Sequence, residues 1–327
     1  MKAQTVFLSG GKVRPIWRFF LSVVMVVLAV IAVQFVLAFV LGLAGRSLEF
    51  FVANASFSLF MLPVLLGIFK VLSGVFEQKP LASVGLGLCG RWPSELAIGL
   101  AVGALMILAV AALEWGLGAV RFSWSGEGSK PLFTWGFGLF VVLVVAAANE
   151  ELIFRGYPFQ RLIDSIGAIG AVAALSALFG VMHLWNPNRT WVSTANTMLV
   201  GIPFSIAYLR TRMLWLPIGM HFAWNFVQGF VLGLPVSGLA TPVSLLKSEA
   251  VGSVLLTGGK YGPEASLLTS AIIVLATGYL AFAKSIYISE ETKVLVFAPA
   301  HNREQEVVAL KLNGASSESS AGPLEQR

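Results

Sequence analysis

Hydrophobic and polar positions in this chain fall into blocks rather than short periods. Long apolar runs occupy residues 19–44, 51–76, 96–118, 133–163, 167–185, 191–208, 213–234 and 267–288, divided by polar or Pro/Gly-rich segments. A hydrocarbon core of about 30 Å needs roughly 20 apolar residues in a helix, so the pattern predicts an all-α integral membrane protein with about eight transmembrane helices. The first run is too long for a signal-peptide core and lacks a small-residue cleavage site, which makes it an uncleaved span. Residues 77–95, rich in Pro and Gly, read as a loop on the membrane surface, and 120–131 as a polar loop. The run 133–163 would reach about 45 Å at 1.5 Å per residue, longer than the bilayer core, and Gly167 and Gly170 mark a turn after it. From residue 290 the chain is polar and reads as a disordered tail, with a short apolar stretch at 294–297. The expected organisation is spans one to three in 1–132, a core in 133–234, a loop and the last span in 235–289, and the tail in 290–327. There is no internal repeat.

Composition and charge agree with this pattern. Hydrophobic residues make up 57% of the chain and charged ones 12%, and the mean hydropathy is +0.83. The net charge of +6 needs no nucleic-acid partner, because cytoplasmic loops of membrane proteins carry excess Lys and Arg. With the N-terminus inside, thirteen cationic residues, those within 2–18, 70–91, 155–161, 210–212 and 284–293, fall on the inner side. Six fall outside: Arg46, Arg121, Lys130, Arg189, Lys247 and Lys260. The expectation is therefore a multi-pass protein of the cell (inner) membrane with both termini cytoplasmic. Trp115, Trp124, Trp135, Trp185 and Trp191 gather at the outer boundary, and Trp17, Trp92 and Trp215 at the inner one, as interfacial belts. The single cysteine, Cys89, rules out an intrachain disulfide and a cysteine-clustered zinc site.

Against that background Asn149-Glu150-Glu151-Leu152-Ile153-Phe154-Arg155 stands out. A carboxylate at a helix centre costs about 2.5–3.5 kcal/mol to insert, so two in succession mark a site. Glu151 and Arg155 are spaced i, i+4 and can pair, while Glu150 points about 100° away and is free to act. Two of the three histidines, His183 and His221, lie in apolar runs; His301 sits in the tail and receives no role. The midpoint between 150 and 183 falls beside Gly167, which puts Glu150 and His183 at similar depth on antiparallel helices. His221 belongs to the same half of the membrane, and Asn225 shares its face one turn on. Such a set can polarise and deprotonate a water and stabilise an oxyanion, the requirements of amide hydrolysis. The same groups could line a proton or ion path of a transporter, or form a structural polar cluster. Gly-x-Ser-x-Gly, a Ser-x-x-Lys with a plausible partner, and His-Glu-x-x-His are absent.

The three motifs Glu150-Glu151-x-x-x-Arg155, Phe179-x-x-x-His183 and His221-x-x-x-Asn225 resemble, in that order, those of the CPBP family, which contains type II CAAX prenyl endopeptidases and bacteriocin-processing or self-immunity proteins. The resemblance covers about 133–234. It implies an intramembrane endopeptidase with Glu150 as general base, His183 binding or polarising the attacking water, and His221 with Asn225 stabilising the oxyanion. Glu151 and Arg155 would hold the architecture, with Phe179 in support. It leaves two mechanisms open: one divalent metal such as zinc held by Glu150, His183 and His221, or a metal-free glutamate mechanism. The implied substrate is a membrane-associated peptide or lipidated protein, prenylated or bacterial; some relatives act as immunity or scaffold proteins. The phrase Gly258-Gly259-Lys260-Tyr261-Gly262-Pro263-Glu264 resembles a segment of bacterial members, without an assigned chemistry.

Overall fold

The computed structural model describes residues 6–9, 11–43, 50–88 and 90–290. The tail expected to be disordered, with its 294–297 stretch and His301, lies outside the described residues, as does Cys89. Eight helices carry the fold: α1 Pro15–Leu43, α2 Phe50–Leu72, α3 Trp92–Gly116, α4 Ser129–Arg155, α5 Tyr157–Met182, α6 Trp191–Thr211, α7 Trp215–Phe226 and α8 Leu267–Phe282. Among the described residues five helical runs are long and apolar enough to cross a membrane: Pro15–Leu43, Ala55–Glu77, Trp92–Gly116, Ser129–Trp185 and Trp191–Thr211. This is the architecture of a multi-pass membrane protein. Both α7, at 12 residues, and α8, at 16, are shorter than those runs, although the π-turn Val227–Val231 lengthens α7.

The 57-residue run Ser129–Trp185 is not one rod. Where the apolar pattern predicts helix through residue 163, α4 stops at Arg155, and Gly156 leaves helical geometry at ψ −136°. The position requires glycine, since a Cβ at Gly156 would lie 2.3 Å from the Leu152 carbonyl oxygen. Helix α5 is itself broken at Gly167, with φ 78° and ψ 167°, a left-handed backbone that glycine adopts without penalty. The expected turn therefore falls at Gly167, preceded by a second break at Gly156. Between them the chain doubles back, since the rings of Phe154 and Phe179 meet at 4.9 Å.

The segment read as a polar loop at 120–131 contains a strand. Two short antiparallel pairs occur, β1 Leu8–Ser9 with β2 Lys12–Val13 and β3 Val120–Trp124 with β4 Leu246–Ala250. The second pair joins the α3–α4 and α7–α8 connections in the register Arg121 to Glu249 and Ser123 to Lys247. At the opposite end Glu77 accepts from Arg18 at 2.9 Å and from Arg161 at 2.8 Å, and Arg210 donates to the carbonyls of Leu280 and Ala281 in the last turn of α8 and of Ala283 and Ile286 just beyond it. The two sets of polar contacts thus separate onto two faces, with apolar helix between them.

Helices α3 and α7 pack closest. A Cβ at Gly99 would lie 2.3 Å from the Leu216 carbonyl oxygen, and one at Gly103 would lie 2.1 Å from that of Met220. This Gly-x-x-x-Gly face lets two backbones approach where lipid gives no hydrophobic drive for association. The contact fixes the helix that carries His221. Helix α6 starts where Thr190 and Ser193 cap each other, the Ser193 N–H donating to Thr190 Oγ1 at 3.0 Å and the Thr190 N–H to Ser193 Oγ at 2.8 Å, which satisfies orphan donors of the first turn.

Candidate active site

The last turn of α4 turns two side chains inward. Glu151 and Arg155 are fully buried and pair at 3.3 Å, and Arg155 Nη2 also donates to the Gly201 carbonyl at 3.1 Å. The guanidinium lies over three rings, 4.8 Å from the centroid of Phe179, 5.3 Å from Phe204 and 5.7 Å from Phe154. Arg155 is thus compensated by one charge, one carbonyl and aromatic faces, a set that offsets the cost of burying it. Asn149 points elsewhere: its amide donates to the Ser58 carbonyl at 2.7 Å and ties α4 to α2.

His221, on α7, joins the two glutamates. Its Nδ1 stands 2.9 Å from Glu151 Oε1, and because an ionised carboxylate only accepts, Nδ1 carries the proton. The other nitrogen, Nε2, lies 3.8 Å from Glu150 Oε2. Glu150 is the more exposed carboxylate, with 36% of its side chain accessible against none for Glu151. Phe204 stacks on the His221 ring at 5.3 Å and 19°. The imidazole is therefore fixed in plane and tautomer, with Nε2 toward the freer carboxylate.

His183 sits in the 3-10 turn His183–Trp185 that ends α5. Its Nδ1 donates to the Phe179 carbonyl at 2.7 Å, leaving Nε2 with its lone pair. The Phe179 ring meets His183 edge-on at 4.6 Å and His221 at 6.4 Å, so it spaces the two imidazoles. His183, His221 and Asn225 line one cavity of about 50 Å³, whose walls also include Phe179, Phe204, Asn196, Ser237 and Glu264. Glu150 approaches His221 from beside this cavity and is not part of its lining.

Residues 132–227 match the family model described as Type II CAAX prenyl endopeptidase Rce1-like. The stretch is an Rce1-like domain. It begins in α4 and ends at the first residue of the π-turn after α7, and so contains Glu150, Glu151, Arg155, Phe179, His183, His221 and Asn225. Helices α1–α3 and α8 and the 235–266 loop lie outside it. The Rce1-like family is one of proteases, hydrolases of the peptide bond within membranes. No curated protein matches the chain.

Sequence reasoning left three parts of this site unseen. Glu151, expected to hold architecture, also accepts a hydrogen bond from His221 Nδ1, a link invisible without the 70-residue separation being closed. Phe204 stacks on His221 with no motif to announce it. Ser237 and Glu264 reach the cavity from outside the Rce1-like domain, and only the glycine-rich phrase around Glu264 signalled them.

A metal site needs its donors grouped around one point. Among the described residues no three His, Cys, Asp or Glu side chains are grouped to hold an ion. The Nδ1–H groups of both histidines are given to Glu151 and to the Phe179 carbonyl, which leaves Nε2 of each ring available as an acceptor or ligand. As arranged, Glu150, His183 and His221 are not gathered around one point as a three-ligand zinc site requires.

Proposed function

We propose that the chain is an intramembrane endopeptidase that cleaves a membrane-associated peptide or lipidated protein with a water activated by Glu150. The observation that carries this reading is the clamped His221, its Nδ1–H given to Glu151 and its Nε2 turned to Glu150, in a cavity shared with His183 and Asn225. A fixed imidazole beside an accessible carboxylate is the geometry of paired acid–base groups.

In this mechanism a water donates hydrogen bonds to Glu150 and to the free Nε2 of His183. Glu150 takes its proton as the oxygen attacks the scissile carbonyl carbon, and the carbonyl π pair moves onto oxygen. The Asn225 amide donates to that oxyanion. Nε2 of His221 does so as well when the ring is doubly protonated, with Glu151 and Glu150 as its flanking counter-charges. Glu150 then passes the proton to the amide nitrogen, the C–N bond breaks, and the acid and the amine leave. Glu151, Arg155 and Phe179 hold the imidazoles in place. Eight crossings with both termini cytoplasmic would put this chemistry in a cell membrane of bacterial type.

The deciding experiment is cleavage of membrane-peptide libraries by purified protein in liposomes, wild type against Glu150→Gln. Loss of the general base should lower turnover by about 10²–10⁴-fold. Near wild-type cleavage by Glu150→Gln would end the assignment, and proton-coupled uptake without any cut peptide would favour a transporter.

A further inference from the structure

The wall of the cavity facing the histidines is built by the 235–266 loop, and it contains a third carboxylate. Glu264 accepts from the Ser237 N–H and from Ser237 Oγ at 3.3 Å. Its own carbonyl accepts from Asn196 Nδ2 at 2.8 Å, which docks the segment on α6. A carboxylate has about four lone-pair positions; two are taken by these donors, and the side chain borders the same cavity as His183, His221 and Asn225. The wall is stiff. A Cβ at Gly262 would lie 2.1 Å from the Pro235 carbonyl oxygen, and the Gly238 N–H donates to the Tyr261 carbonyl at 2.9 Å. A preorganised anion of this kind selects a cation at little reorganisation cost.

We propose that Glu264 is a specificity-determining residue that takes a cationic group of the substrate, an ammonium or guanidinium near the scissile bond. This rests on the endopeptidase reading. Ser237 holds the carboxylate in place, and the side chain borders the cavity of about 50 Å³ that also holds His183, His221 and Asn225. A substrate with a free carboxylate at that position is disfavoured by like charge.

Full-length protein in liposomes, given peptides that differ only in Lys, Arg, Gln or Glu beside the scissile bond, each with a free or acetylated N-terminus, provides the test. The cationic peptides should exceed their Gln counterparts in kcat/KM by about 10- to 100-fold, the range of a charge-assisted hydrogen bond. Acetylation tells whether a side chain or the N-terminal amine supplies the cation. Glu264→Gln should bring the Lys-to-Gln ratio toward one, and Glu264→Lys should turn it toward the Glu peptide. A wild-type ratio retained by Glu264→Gln, or the absence of any cationic preference in the wild type, overturns the proposal.

Two further measurements keep the test independent of folding and of catalysis. Burial pushes the Glu264 carboxyl up to about 7, so in the wild type the Lys-to-Gln ratio should grow as pH rises through about 7, where the carboxylate forms. His183 and His221 across the cavity and Tyr261 in the same segment are the other titratable groups there, and the same pH series on Glu264→Gln separates their contribution from that of Glu264. A flat ratio counts against the proposal. Peptide binding to Glu150→Gln, with and without Glu264→Gln, reads the same preference without hydrolysis. Absence of cleavage by the wild type therefore defeats the endopeptidase reading, while equal binding of Lys and Gln peptides defeats this one.

Discussion

At the scale of the residue, two neighbouring glutamates are separated by their surroundings. Glu151 is sealed between Arg155 and His221, whereas Glu150 keeps a solvent-accessible face and one close neighbour, His221 Nε2. Removing one member of a buried pair leaves an uncompensated charge, at a cost of about 3–5 kcal/mol. Glu151→Gln and Arg155→Leu should therefore unfold in detergent well below the wild type. Glu150→Gln should melt at or above it, because active-site groups are often held at the expense of stability. A destabilised Glu150→Gln beside two wild-type-like partners would reverse the roles assigned here. Phe179 extends the argument: it touches Arg155 and His183 and faces His221 edge-on. Phe179→Leu should lower kcat more than it raises KM in peptide cleavage, since it loosens both imidazoles. A change confined to KM would place Phe179 in substrate binding instead.

At the scale of the element, the spacing of apolar blocks made the helices legible, because length and hydropathy are local properties. Glu151 and Arg155 were legible as a pair for the same reason, i, i+4 being a property of one helix. What escaped is what depends on distant segments meeting. Strand β3 reads as loop because its partner β4 lies more than a hundred residues on. The break at Gly156 hides within an apolar run because hydropathy carries no trace of a backbone that must turn. The Gly99 and Gly103 face of α3 meets α7 at backbone distance, and a side chain there has nowhere to go. Gly103→Leu should displace α7 and with it His221, losing both thermal stability and cleavage, as overpacking of a tight contact costs typically 1–3 kcal/mol or more. Gly116→Leu, where a Cβ meets open space, is the control on the same helix. Equal melting of the two variants would remove α3 from the support of the site.

At the scale of the whole molecule, polar contacts gather on two faces, and each face joins segments far apart in sequence. Arg18, Glu77 and Arg161 meet on one, and β3 pairs with β4 on the other. Only an even number of crossings can separate β3 from β4, since both lie on one side; the scheme of eight spans puts four between them and makes that side extracytoplasmic. Arg121 and Glu249 are directly paired, and opposed residues of an antiparallel pair have Cα atoms about 4.5–5.5 Å apart, within disulfide reach. Cysteines at 121 and 249, in a background with Cys89→Ser, should therefore oxidise spontaneously in growing cells, because disulfides persist on the oxidising side of a membrane. A cysteine pair at 18 and 77, on the other face, should stay reduced in the same cells, and a reporter fused after Ile288 should read cytoplasmic. If 121 and 249 stayed reduced in the cell yet cross-linked once oxidant was added to opened membranes, the strand pairing would stand and the orientation would be inverted. Failure to cross-link under either condition would defeat the pairing itself, and with it the placement of the 235–266 loop over the cavity.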